Sequence, residues 1–150
     1  KDKKIDLIYQ DANISFFELK KLSDTELDIK LSGKGFFKLV NKKHDTFYYT
    51  QKGQFKLNKK REVVLREDEN LFLFPEISIP FEYEFESIKK NGNVIIKKDK
   101  ELATTAMLKV TYFIYPEKLK IYKENIYHED KDNYIDTNIY SCCFEELPFI

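Results

Sequence analysis

Leu31-Ser-Gly-Lys-Gly-Phe-Phe-Lys-Leu-Val40, then after a polar link Thr46-Phe-Tyr-Tyr-Thr-Gln-Lys-Gly-Gln-Phe-Lys-Leu57, is the stretch whose reading decides the fold. Gly33 and Gly35 stand just before two phenylalanines, and Gly53 just before Phe55 and Leu57. Glycine tolerates positive φ and close backbone approach, so it belongs where the chain reverses. Aromatic and β-branched residues suit a pleated, half-buried surface. The stretch therefore predicts a strand, a tight turn, a strand, a second turn and a third strand. Gly33-Lys-Gly35 is not a phosphate loop: it lacks the G-x-x-x-x-G-K-[ST] spacing and precedes a strand rather than a helix N-terminus.

Working outward, Leu27-Asp-Ile-Lys-Leu31 alternates and predicts a strand with one wet face. Ser15-Phe-Phe-Glu18 before Leu19 and Leu22 fits a capping box opening a short helix. Alternation over Phe17, Leu19 and Lys21 fits a strand nearly as well, and both readings stand. Ile5 to Gln10 is too short to classify. On the C-terminal side, charged turns at Lys59–Glu62 and Arg66–Asn70 separate Val63-Val-Leu65 from Leu71-Phe-Leu-Phe74. Pro75 and Pro80 bracket Ile77 and Ile79, which predicts an extended segment at a sheet edge or crossing between sheets.

Phe81-Glu-Tyr-Glu-Phe-Glu86 is the clearest period-two pattern, with Phe81, Tyr83 and Phe85 expected on one face and the glutamates on the other. Asn91-Gly92 signals a hairpin into Val94-Ile-Ile96. The longest strand is expected from Thr104 to Tyr115, ending at Pro116. A polar, tyrosine-rich tail follows, punctuated by Glu124-Asn-Ile-Tyr127. Short strands recurring about every ten residues predict an all-β fold: a single antiparallel β domain, a sandwich or partly closed barrel with little helix. Residues 23–128 are expected to form it, with 1–22 and 129–150 as connecting segments.

The 150 residues suffice for one core, and no apolar run approaches the roughly 20 residues of a membrane span, so no membrane insertion is expected. Lysine plus arginine and aspartate plus glutamate both number 26, which argues against a dedicated nucleic-acid binder. The missing initiator Met suggests a piece of a longer protein. Cys142 and Cys143 are adjacent. Neighbouring Cα atoms about 3.8 Å apart fall short of the usual disulfide range of about 4.4–6.8 Å, so they read as bystanders.

His44 and His128 are lone histidines without a Cys, Asp or second His at ligand spacing, so no metal is expected. Glu82, Glu84 and Glu86 read as the solvated side of a strand, matched by lysines such as Lys97 and Lys98, rather than as paired acids. No Ser-His-Asp or Cys-His constellation assembles, so no catalytic residue and no cofactor is expected.

The order of motifs resembles the β domain of the flagellar rod and hook protein family, most closely its distal rod branch. Asp6-Leu-Ile-Tyr9-Gln10 matches the family's Asp-Leu-Leu-Tyr-Gln. Leu27-Asp28 leading into Gly33-Lys-Gly35-Phe36-Phe37 matches its Gly-x-Gly-Phe-Phe run. Tyr49-Thr50-Gln-Lys-Gly53-Gln-Phe55 matches Tyr-Thr-Arg-x-Gly-x-Phe, with Gln51 where arginine is usual. Ile77-Ser-Ile-Pro80, the turn at Gly92, Phe113-Ile-Tyr-Pro116-Glu-Lys-Leu119 and Glu124-Asn125-Ile-Tyr127 follow in family order. Val64-Leu65 only echoes the family's Leu-Val hairpin, the segment between Gln10 and Leu27 is shorter, and a Ser-Gly pair is missing after Tyr127.

The resemblance implies a non-enzymatic structural role in the bacterial flagellum. It implies export through the flagellar type III apparatus, helical assembly in the periplasmic rod of the basal body, and torque transmission. Its implied partners are copies of itself, neighbouring rod and hook proteins through terminal helices absent from this stretch, and basal-body ring proteins. The rival expectation is a non-polymerising β-rich module that binds another flagellar, export or envelope protein, through the tyrosine-rich residues 121–140.

Overall fold

A computed structural model describes residues 17–31, 33–113 and 115–128, together with the backbone of 139–142. The fold is all-β and antiparallel, and its sheets do not close into a barrel. Strands β1 (Phe17–Lys21), β2 (Glu26–Leu31), β3 (Phe37–Asn41), β4 (Thr46–Thr50), β5 (Gly53–Leu57), β6 (Val63–Leu65) and β7 (Asp68–Phe74) precede a second group. That group is β8 (Glu84–Ile88), β9 (Asn93–Lys98), β10 (Glu101–Met107), β11 (Val110–Phe113), β12 (Lys120–Lys123), β13 (Ile126–His128) and β14 (Ile139–Cys142). Pro116–Lys118 forms a single 3-10 turn. Nine strands form one sheet in the order β1-β2-β5-β6-β7-β3-β4-β13-β12; β10-β9-β8 make a second sheet, and β11-β14 a third.

Alternation gives the long sheet an inner face. Leu27 and Ile29 of β2, Phe37 and Leu39 of β3, Phe55 and Leu57 of β5, and Leu71 and Leu73 of β7 share one buried cluster. The sheet bends enough that Phe37 and Phe55, three places apart in strand order, meet edge to face at 5.4 Å. Phe85, Val94 and Ile96 of the second sheet, with Val110 and Tyr112 of β11, complete the same core. Burying a side chain of this size is worth about 1.5–3 kcal/mol each, so this cluster dominates folding.

The expected strands between Leu27 and Phe74 are all present, and Phe17–Lys21 resolves the open choice as a strand paired with β2. The proline-bracketed segment lies extended beside residues 61–63: Val63 donates to Ile77 O and Ile79 donates to Arg61 O, both at 2.9 Å. Asn91-Gly92 forms the β8–β9 hairpin turn, with Gly92 at φ 98°.

Three expectations need correction. Phe81 is not on the inner face of a strand; it is 70% exposed in a turn, because Glu82 takes φ 77° and the strand starts only at Glu84. The long strand from Thr104 to Tyr115 is two strands, since Leu108 turns to donate to Gly92 O at 2.7 Å and its side chain enters the core. The second turn of the opening stretch, expected at Gly53, is a link at Gln51-Lys52 between two strands that occupy separate places in the sheet, and Gly53 is the first residue of β5.

Candidate functional site

The motif residues spread along the chain converge on the two faces of β3 and β4. Gly33, at φ 89°, turns the chain toward β3. Gly35 then lies against the side chains of Val110 and Tyr112, where a Cβ would collide. The next two residues point opposite ways: Phe37 enters the main core and Phe36 enters a second cluster with Tyr49 and Phe113. Leu119 and Tyr127 pack against that second cluster. Its rings meet edge to face, with centroids 5.5 Å apart for Phe36–Phe113, 4.7 Å for Tyr49–Phe113 and 6.1 Å for Phe36–Tyr127. Such pairs add about 0.5–1.5 kcal/mol beyond burial. Sequence position alone does not bring residues 36, 49, 113, 119 and 127 together; β11 and β13 do.

The remaining motif residues tie strands to one another. Thr50 is buried, and its hydroxyl lies 2.7 Å from Asn125 O while accepting Lys52 N–H at 3.1 Å. Asn125 holds φ 65° in the β12–β13 turn. Gln51 donates to Gly35 O at 3.4 Å, in the place where the resemblance expects arginine. Gly53 sits against the backbone of Ile29, and Leu27 and Phe55 are fully buried. Pro80 O accepts Tyr83 N–H at 3.1 Å, and Pro116 opens the 3-10 turn that leads to Leu119. Asp6, Tyr9, Gln10 and Cys143 lie outside the described residues, as does the side chain of Cys142.

Two structural residues escaped the sequence reading. Arg61 and Arg66 are the two arginines of the whole chain, a signal that the dominance of lysine makes visible in hindsight. Arg66 reaches Asp28 Oδ1 at 2.6 Å, Leu27 O at 3.0 Å and Phe55 O at 3.3 Å, bracing β2 to β5. Arg61 donates to Ile79 O at 3.1 Å and Tyr83 O at 2.6 Å, holding the turn that carries Phe81. Arginine presents several donors in a fixed fork and stays charged, which suits bracing carbonyls better than lysine.

Shifted proton affinities also fall on structural ion pairs. Lys42 bridges Glu76 at 2.7 Å and Glu62 at 3.3 Å. The hydrogen bond to Glu76 outweighs desolvation and raises the Lys42 ammonium. Glu62 is lowered, first by its hydrogen bond from Asn58 and then by Lys42. Burial pushes Asp68 up, but the hydrogen bonds from Lys123 and the Asn70 amide overrule it, so its carboxyl ends below the ordinary value. Lys123 is raised by the same contact.

A cleft of about 510 Å³ is lined by Asp24, Arg61, Glu82, Glu84, Lys97 and Asp99. Glu84 of β8 pairs with Lys21 at 3.6 Å on the solvated strand side, whereas Glu82, in the turn before the strand rather than on it, pairs with Lys98 at 3.4 Å. Arg61 is committed to backbone carbonyls, and Tyr83 completes the lining of the cleft. His44 sits in the β3–β4 turn and His128 against Tyr48 and Tyr122; among the described residues no cluster could hold a metal ion.

The side chains described above tie strands to one another, and the chain is similar to known structural proteins. Residues 30–96 match the family described as the flagellar hook protein FlgE/F/G D1 domain. The chain is also 31% identical over 124 residues to the flagellar basal-body rod protein FlgG of Borreliella burgdorferi. That alignment takes in 79% of this chain and 46% of the relative, so the chain spans about half the length of the curated relative it matches. Both matches support one family, that of the flagellar rod and hook structural proteins, which is not a family of enzymes. Within it, the chain lies close to the rod protein FlgG.

Proposed function

We propose that this chain is the β domain of a parent flagellar rod subunit of the distal rod type; the domain reaches beyond residues 23–128 on both sides, because β1 pairs with β2 and buries Phe17 in the core, and β14 pairs with β11. The parent leaves the cell unfolded through the flagellar type III apparatus and stacks helically in the periplasmic rod of the basal body. Its terminal helices form the inner tube, and this domain forms the outer layer of a shaft that transmits torque. Its partners are copies of itself, neighbouring rod and hook proteins, and basal-body ring proteins.

The observation that carries this reading is the packing of β3 and β4 on both faces, by Phe37 on one and Phe36, Tyr49 and Phe113 on the other. A sheet clamped from both sides resists the shear that a rotating shaft imposes, because close-packed interiors yield little to strain. Affinity capture of the tagged parent protein from flagellated cells tests it. Recovery of rod and ring components is expected. Recovery of one soluble partner instead supports the rival binding module, for which the exposed edge strand β12, with Ile121 72% exposed, is the candidate surface.

A further inference from the structure

Tyr48 of β4 and Tyr122 of β12 stack with ring centroids 4.4 Å apart and planes inclined by 36°. Burial, with the Tyr122 phenol beside it, raises the Tyr48 hydroxyl above its ordinary value. The two strands are not neighbours: β13 lies between them, and its His128 stands edge-on at 6.3 Å from each ring. Tyr48 is 9% exposed and held by the core, whereas Tyr122 is 41% exposed at the edge of the sheet. One phenol is thus fixed and the other is open to a reagent in solution. Tyr49 and Tyr127, by contrast, pack against the phenylalanines Phe113 and Phe36, which have no phenolic proton to lose.

We propose that Tyr48 and Tyr122 form an oxidative cross-linking site, joined into a dityrosine by a haem peroxidase acting with hydrogen peroxide. Each phenol loses one electron and its hydroxyl proton, giving two phenoxyl radicals. One carbon–carbon bond forms between the ring positions ortho to the two oxygens. The hydrogen at each coupled carbon then moves to its oxygen, restoring both aromatic phenols. The two electrons and two protons released reduce one hydrogen peroxide to two waters. The link ties β12, the last strand in the order of the long sheet, to β4 across β13, and so fastens the β12–β13 hairpin. This inference is independent of the rod reading, since it rests on the ring pair alone.

The 150-residue chain, kept dilute, is treated with a haem peroxidase and limiting hydrogen peroxide. The expected product is a monomer lighter by two hydrogen atoms, with dityrosine fluorescence and a raised urea midpoint. Because the chain holds ten tyrosines, digestion must yield a peptide joining Tyr48 to Tyr122. Tyr122→Phe keeps the ring, leaves circular dichroism unchanged and eliminates that peptide; Tyr48→Phe does the same and serves as the second variant. Dityrosine confined to dimers, linked peptides that map to other tyrosines, an undiminished monomeric yield in Tyr122→Phe, or oxygen addition without dityrosine would each overturn the proposal.

Discussion

Gly53 leaves no room for a methyl group: a Cβ there would collide with the backbone carbonyl of Ile29 and touch the Phe37 ring at 3.0 Å. A carbonyl fixed in the β2–β5 ladder cannot swing aside as a long side chain can. Gly53→Ala is therefore expected to lower stability by about 2–3 kcal/mol, read as a shift of the urea midpoint, in the range of overpacked cores. An unchanged midpoint would mean that the two strands are not this close. Arg66 makes the complementary case. One terminal nitrogen, with two N–H to give, lies within reach of Asp28, Leu27 O and Phe55 O, and the planar guanidinium fixes it there as a flexible lysine ammonium would not. Arg66→Lys is expected to cost about 1–2 kcal/mol by the same measurement, the scale of losing hydrogen bonds to a charged donor. The sequence reads Gly53 as a turn residue before Phe-x-Leu, but it opens β5 itself, where the close approach of the Ile29 backbone requires it. Arg66 could not be singled out in the sequence, because its partners lie 39, 38 and 11 residues away and its own neighbourhood reads only as a charged turn.

The β12–β13 hairpin is the element whose attachment depends on pH. Lys123 of β12 meets Asp68 at the start of β7 at 2.9 Å, and Tyr122 stacks on Tyr48. Asp68 has its proton affinity lowered, so its contribution is present above its ordinary value of 3.8 and is lost as pH falls through the lower folded value. Tyr48 is raised, first by burial, so its contribution is full below its ordinary value of 10.0 and is lost as pH rises through the higher folded value. Lys123 is half exposed, so the pair is worth about 0.5–1 kcal/mol. Asp68→Asn keeps the acceptor for the Asn70 amide and removes the charge. It is expected to flatten the acid limb of a plot of urea midpoint against pH while leaving the alkaline limb in place; an unchanged acid limb would show that other carboxylates govern it. Elements of this kind were readable where alternation is local, as in β2, β3, β4 and β9. Period two says nothing of where a strand stops when a core residue such as Leu108 draws the backbone aside. It equally cannot rank strands across a sheet, which is why the separation of β4 from β5 came only from the fold.

At the scale of the molecule, the question is whether this chain associates by itself. Its exposed large apolar residues are Leu22, Phe81, Leu102, Ile121 and Tyr122, among those described. Leu22 follows β1, Phe81 caps the turn before β8, Leu102 is on β10, and only Ile121 and Tyr122 share a strand. Five exposed apolar side chains among the described residues fall short of the continuous surface that a stable interface needs, about 1,000 Å² or more. Two of the strands that end the sheet orders, β12 and β10, are blunted as well. β12 is four residues long, carries Lys120 and Lys123 and has a register shift between Ile121 and Lys123, while β10 has one between Thr104 and Ala106. Short, lysine-bearing, bulged edges resist strand addition from another chain. The 150-residue chain is therefore expected to elute from a sizing column as a monomer, at a volume that does not change with concentration. Under the rod function proposed above, assembly would then belong to the part of the parent protein beyond the 46% of the FlgG relative that this chain spans. A stable oligomer of the chain alone would reverse that assignment, making the β domain itself the adhesive layer of the shaft.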